Sequence, residues 1–189
     1  PKMYFTNITG GEPFIRTDLK DIVRELRKKS DRIVISTNGF FTDRILDLCR
    51  EFPDIGIRIS IEGLEQTNNE IRGLADGYNR GYTTLKKLRE MGMKDVGFGM
   101  TVQDKNAPDL VPLYRLSDEM GMEFATATLH NSFYFGGQEH HSRPPDGGQE
   151  LRGPYQRAAA EQFAQEVVPR LLQPWTYQLS LRPEASSAL

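Results

Sequence analysis

A chain of 189 residues, 38% of them apolar, is long enough to bury a substantial core as one domain without disulfide staples. A net charge of −2 and a pI near 6.0 give no electrostatic reason to expect nucleic acid as a partner. No apolar run approaches a membrane span and no basic-then-apolar leader is present, so a soluble, cytoplasmic protein is expected, with something missing upstream of the opening Pro1.

The run from Lys2 to Ile8 reads as a first strand, followed at once by Thr9-Gly10-Gly11-Glu12-Pro13. Adjacent glycines let the backbone turn and leave its peptide groups bare, Glu12 supplies a carboxylate, and Pro13 keeps the residue before it out of helix. A helix is predicted from Thr17 to Lys29 with Leu19, Ile22, Val23 and Leu26 on one face, capped by Thr17 or Asp18. The second strand is Arg32 to Thr37, ended by Asn38-Gly39, and a helix from Thr42 carries Ile45, Leu46, Cys49 and Phe52 inward until Pro53 closes it. Cys49, the one cysteine, reads there as a small buried hydrophobe, and one cysteine makes neither a disulfide framework nor a cysteine-built metal site. The third strand, Gly56 to Ile61, runs through a polar connection to a helix from about Gly81 to Met91, ended by Gly92. The fourth strand, Val96 to Val102, precedes a helix from Pro108 to Met120, and the fifth runs from Glu123 to Leu129 and ends at His130.

Repeated strand, turn and helix units predict a parallel sheet with helices outside, either doubly wound or of the (β/α) barrel type. In the third strand Ile55, Ile57, Ile59 and Ile61 share one face and Arg58 and Ser60 the other. In the fourth, Val96, Phe98, Met100 and Val102 oppose Gly97, Gly99 and Thr101. The apolar faces are predicted to meet the helices, which leaves a lumen of small and polar side chains that can receive a ligand rather than a packed barrel interior. In such folds the loops after the strands open on one rim. That rim collects Gly10 to Pro13, Thr37 to Gly39, Ser60 to Gly63, Thr101 with Gln103, and His130 with Asn131.

Four of these segments in order, Gly10-Gly11-Glu12-Pro13, Ser36-Thr37-Asn38-Gly39, Ser60-Ile61-Glu62-Gly63 and Ile71-Arg72-Gly73, resemble the radical S-adenosylmethionine (radical SAM) superfamily over about residues 2–135. The third stands where that family commonly has Ser-Leu-Asp-Gly. The resemblance implies a partial (β/α)6 TIM-like barrel, an α/β fold with strands two to six present. It also implies S-adenosylmethionine as cofactor, with the ammonium on the backbone of Gly10, Gly11 and Glu12 in the turn that ends at Pro13. Arg72 matches the arginine that holds the carboxylate in several branches, where a planar fork gives two charge-assisted bonds. Ser60 matches a position that reaches the ribose or carboxylate, and Asn38 and Thr101 lie where such proteins approach cofactor or substrate. Enzymes of the family use a reductant and a 4Fe-4S cluster to cleave the cofactor, and the deoxyadenosyl radical takes a hydrogen from a peptide or small-molecule substrate. Their cluster sits on a Cys-x3-Cys-x2-Cys loop ahead of the Gly-Gly-Glu-Pro strand, and Cys49 is not in a matching position. The cluster is therefore assigned to the full-length parent, and this chain is expected to be inactive alone. A non-catalytic S-adenosylmethionine-binding or interaction module, and a cluster-free acid–base barrel using Glu12, Glu62 and His130, are the alternatives.

After residue 135 the composition changes: residues 137–189 contain no Lys, Ile, Asn or Met. Residues 1–135 are thus expected to form the core barrel and 136–189 an atypical tail. The tail reads either as disordered or loosely helical, with Arg157 to Leu172 the best helix candidate, or as a stretch translated out of frame. Glu139, His140 and His141, with His130, are of metal-ligand type but lack the convergence a site needs, and no metal ligands are assigned.

Overall fold

Alternating side chains on a parallel strand send one set of residues to each face of the sheet, and the pairing carries that alternation from strand to strand. The computed structural model describes residues 2–128 and 154–166. Its five strands, β1 (Met3–Ile8), β2 (Ser30–Thr37), β3 (Gly56–Ser60), β4 (Val96–Val102) and β5 (Glu123–Thr128), lie side by side in sequence order, every pair parallel. Between and after them come α1 (Leu19–Arg27), α2 (Thr42–Glu51), α3 (Glu65–Arg72), α4 (Gly77–Glu90), α5 (Leu110–Glu119) and α6 (Pro154–Glu166). Register pairs Ile35 with Ile57, Ile57 with Val96 and Ile59 with Phe98, so the aliphatic rows line up across the sheet.

That outer face is the core. Ile33, Ile35, Ile57, Ile59, Ile61, Val96, Phe98 and Met100 are buried against Leu19 and Val23 of α1, Ile45, Leu48 and Cys49 of α2, Leu85 and Leu88 of α4, and Leu113 of α5. At about 1.5–3 kcal/mol for each large side chain removed from water, this face dominates the stabilisation of the fold. The opposite faces of all five strands curl around one cleft of about 530 Å³, which makes the sheet a half-barrel rather than a flat doubly wound layer.

Several boundaries move for physical reasons. β2 begins at Ser30, ahead of the predicted Arg32, because Met3 pairs with Ser30 and extends the ladder. α4 begins at Gly77 rather than Gly81; a Cβ at Gly81 would lie 3.1 Å from Ile59 Cγ2, so the glycine read as a boundary is where the helix approaches β3 closely. The polar connection contains α3, which has little apolar periodicity; its internal buried residue is Asn68, and it ends at Gly73 in the left-handed conformation. Asp18 occupies the N-cap position of α1 but makes no cap hydrogen bond, because its carboxylate grips Arg16 at 2.8 and 2.6 Å. The helix predicted from Pro108 opens as a 3-10 turn, Ala107–Asp109, that runs into α5. In the tail, α6 starts before the predicted Arg157; the rest of that prediction, 167–172, lies outside the described residues. Phe163 of α6 packs edge-on to Tyr114 of α5, at 5.5 Å between ring centroids.

Charge closes the floor of the cleft. Arg58, predicted to face the lumen, is only 8% exposed; it donates to Asp95 at 2.7 Å, and Arg32 grips the same carboxylate at 2.9 and 3.1 Å. Burial alone would raise the pKa of Asp95, but the hydrogen bonds from Arg32 and Arg58 hold it below the usual carboxylate range. Gly97 has no room for a side chain there, since a Cβ would fall 2.1 Å from the Glu123 carbonyl oxygen.

Candidate functional site

Each βα loop leaves the sheet at the rim opposite this floor. In the first, Gly10 has φ +148°, a conformation that side chains oppose, and nothing lies within 4 Å of a Cβ built on Gly10 or Gly11. The two glycines thus present accessible peptide groups, while the buried Pro13 and Phe14 turn under them in a 3-10 turn, Pro13–Ile15. Glu12 fixes the turn. Its Oε1 accepts from the Phe14 amide at 3.1 Å and from Thr37 Oγ1 at 2.7 Å, and its Oε2 accepts from the Asn38 amide at 2.7 Å. The carboxylate therefore ties the loop after β1 to the loop after β2. Asn38 uses its own Oδ1 to accept from the Phe40 amide at 2.9 Å, an Asx turn that leaves its side-chain NH2 available.

A second carboxylate performs the same service for the next two loops. Glu62, buried at 8% exposure, accepts from Arg72 Nη2 at 2.8 Å through Oε1 and from the Thr101 amide at 2.8 Å through Oε2. Arg72, at the end of α3, also donates to the Ser60 carbonyl at 3.2 Å. Its Nε is buried with no hydrogen-bond partner. An unpaired buried donor is costly, and on a guanidinium it invites an acceptor from outside the chain. Below, Asn7, Thr9, Ser36, Ser60 and Thr101 line the cleft with neutral hydrogen-bonding groups.

Of the predicted residues, Glu12 and Asn38 are in direct contact, Ser60 and Arg72 are joined through a carbonyl, and Arg72 and Thr101 meet through Glu62. Gly10 and Gly11 stand open at the first loop, and Pro13 is buried beneath them. The bridging role of Glu62 is absent from the sequence reading, as are two buried amides. Asn68 accepts from the Glu62 amide at 2.8 Å; Asn106 donates to the Thr101 carbonyl at 3.0 Å and accepts from the Gln103 amide at 2.7 Å. Polar residues in irregular segments carry no periodic signal, so only the fold reveals them.

Cys49 lies on the core-facing side of α2, and burial pushes its thiol up to about 12, so it stays protonated and is no ligand for the rim. His130, Asn131, Glu139, His140 and His141 lie outside the described residues. Among the described residues no group of His, Cys, Asp and Glu could hold a metal ion, and no helix is long and apolar enough to cross a membrane.

The family model of the Radical SAM superfamily matches residues 3–116. The chain belongs to the radical SAM superfamily. Fe-coproporphyrin III synthase of Methanosarcina barkeri (strain Fusaro / DSM 804) is 32% identical over 114 residues, which are 59% of this chain and 28% of that protein. Pre-heme d1 synthase of Dinoroseobacter shibae (strain DSM 16493 / NCIMB 14021 / DFL 12) is 30% identical over 119 residues, 61% of this chain and 29% of that protein. The chain thus spans less than a third of the length of these two relatives. The crystal structure of Streptococcus suis SuiB bound to S-adenosylmethionine matches with a TM-score of 0.65 at 18% identity, covering 88% of this chain and 37% of SuiB. SuiB bound to its precursor peptide SuiA matches with a TM-score of 0.55 at 20% identity, covering 66% of this chain and 28% of SuiB. At such identity the likeness concerns the fold, a half-barrel of parallel strands with helices outside.

Proposed function

We propose that residues 1–135 are the S-adenosylmethionine-binding part of a radical SAM enzyme that modifies a peptide or small-molecule substrate. The observation that carries this reading is the buried, unpartnered Nε of Arg72 on the same rim as the open peptide groups of Gly10 and Gly11. The cofactor bears a carboxylate and an ammonium at one end. Arg72 would take the carboxylate, and the backbone carbonyls of Gly10, Gly11 and Glu12 would take the ammonium, with Pro13 holding the turn. Ser60 would reach the ribose or carboxylate, while Asn38 and Thr101 would face the cofactor or the substrate in the cleft. When bound and reductively cleaved, S-adenosylmethionine supplies the adenosyl group that removes a hydrogen from a substrate.

The iron–sulfur cluster does not fit these residues. Cluster sites of this family use cysteine thiolates, and Cys49 is one protonated thiol inside the core. A cluster and its reductant are therefore assigned to the whole protein, and this chain alone is expected not to cleave the cofactor. On this reading the protein works in the cytoplasm, where reductants keep thiols free. SuiB, with its precursor peptide, supports a peptide substrate; the two synthases support a small molecule. The acid–base alternative has less support, since both oxygens of Glu12 and of Glu62 already accept hydrogen bonds from the chain. A non-catalytic binding module would share the rim and differ only in lacking a cluster.

Titration calorimetry of the chain with S-adenosylmethionine tests the reading. Binding is expected, and Arg72→Ala is expected to weaken it by at least about tenfold, the size of one charge-assisted contact. No binding, or binding indifferent to Arg72, would remove the proposal. Anaerobic reconstitution with iron and sulfide separates the binding unit from an intact enzyme: a cluster absorbance on this chain would contradict the assignment of the ligands elsewhere.

A further inference from the structure

The seam between the loops after β3 and β4 holds a carboxylate to which the proposed ligand scheme gives no part. Glu62 is nearly buried, and a charge at that depth needs partners. It has them on both oxygens: Arg72 Nη2 at 2.8 Å and the Thr101 amide at 2.8 Å. Its own amide is fixed by Asn68 Oδ1 at 2.8 Å, and Asn68 is 1% exposed, so the carboxylate projects from a rigid base. Arg72 is different. Its side chain is 30% exposed, it ends a helix with almost no apolar anchoring, and a long guanidinium side chain has many rotamers to choose from.

The contacts decide which edge of Arg72 is offered. Glu62 and the Ser60 carbonyl both act on Nη2, and Nε is left buried without a partner. Nε and Nη2 form one edge of a guanidinium. Elsewhere in this chain that edge grips carboxylates with two bonds, in Arg16 on Asp18 and in Arg32 on Asp95. In Arg72 it is held half-engaged, its orientation fixed and one donor unpaired.

We propose that Glu62 is a positioning residue, which presets Arg72 for the carboxylate of an amino-acid-bearing ligand and locks it to the β4 wall through the Thr101 amide. The proposal rests on the S-adenosylmethionine reading above. Glu62 also competes with an incoming carboxylate for the same cation. Because Nε has no partner to give up, a carboxylate that reaches it need not displace Glu62 from Nη2, so the gain in orientation outweighs the competition.

The test is titration calorimetry on the full chain with two ligands, S-adenosylmethionine and decarboxylated S-adenosylmethionine, which lacks only the carboxylate. Glu62→Gln is expected to weaken the first about tenfold and to leave the second within about twofold, a coupling typical of residues in one network. Equal losses for both ligands would mean that Glu62 only keeps the loops in shape, and would overturn the proposal. Unchanged or tighter binding of S-adenosylmethionine would overturn it too. Should Glu62→Gln fail to fold, Glu62→Asp, which keeps the charge but is one methylene too short to span both partners, is read with the same two ligands and the same criteria. A wild-type chain that binds neither ligand overturns the S-adenosylmethionine reading itself. One that binds both equally leaves that reading standing but removes the role of Arg72 with the carboxylate, and the positioning role with it.

Discussion

Glu12 and Glu62 occupy corresponding places on the rim, each sewing two neighbouring loops together with a carboxylate that accepts from backbone amides. Backbone donors left without an acceptor in a loop that approaches a ligand would either cost stability or let the loop drift. A carboxylate is suited to this task because both oxygens only accept, whereas a glutamine of the same shape must turn an NH2 group toward one of the donors. Glu12 accepts three hydrogen bonds, from the backbone amides of Phe14 and Asn38 and from the Thr37 hydroxyl, and Glu12→Gln sets an amide N–H against one of the two backbone donors. The substitution is expected to cost about 2 kcal/mol in urea unfolding, the range for an unmade hydrogen bond at a partly buried site. A change within about 0.5 kcal/mol, ordinary for a surface substitution, would show that the latch does not hold the loop.

At the scale of elements, the strands were legible because their rows of Ile and Val alternate with small or polar residues, and burial of one face follows from that pattern alone. Helix α3 was not legible. It is held by tertiary ties such as the 2.8 Å bond from the Glu62 amide to the buried Asn68, the 2.9 Å bond from the Tyr78 amide to Asn69 and the Arg72–Glu62 pair, and such partners lie in other segments. The site divides in the same way: the residue types at the strand ends could be read, but the link from Arg72 through Glu62 to Thr101 joins three segments that only the fold brings together. The floor of the half-barrel adds a pH dependence. Asp95 has a pKa below its unfolded value because two arginines favour the carboxylate, so it contributes stability above the unfolded carboxylate range, near pH 4, and that contribution is lost as pH falls through its lower folded value. Asp95→Asn leaves Arg58 buried beside a neutral amide and is expected to destabilise the fold by about 3 kcal/mol at pH 7. Urea titrations of both proteins from pH 7 down to pH 3 should converge as the wild type loses the ion pair. Curves that stay parallel throughout would show that Asp95 is not the titrating group.

Among the described residues the sheet has an edge strand at each side, β1 and β5, and the edges differ. β1 carries Met3, Tyr4 and Phe5 at 44%, 84% and 47% exposure, a row of large apolar side chains on a strand paired on one side only. Exposed edges of this kind are normally blunted by charge, proline or a covering segment, and the six residues of β1 contain neither a charge nor a proline. Phe5 faces the cleft and sits under the Arg32 guanidinium at 5.9 Å, so its exposure is partly shared with the floor network. Tyr4 points to the other face and has the greatest exposure of the large hydrophobic residues among those described. Its ring contributes little to the core, and a lysine there would place a charge at the edge where an incoming strand must approach. Tyr4→Lys is therefore expected to suppress self-association of the isolated chain, measured by light scattering against concentration, while moving the urea midpoint by no more than about 0.5 kcal/mol of stability. If association persists unchanged, the contact lies elsewhere, with the β5 edge the next to test. If the midpoint falls by several times that amount, Tyr4 is part of the packed structure and the edge is less open than its exposure indicates.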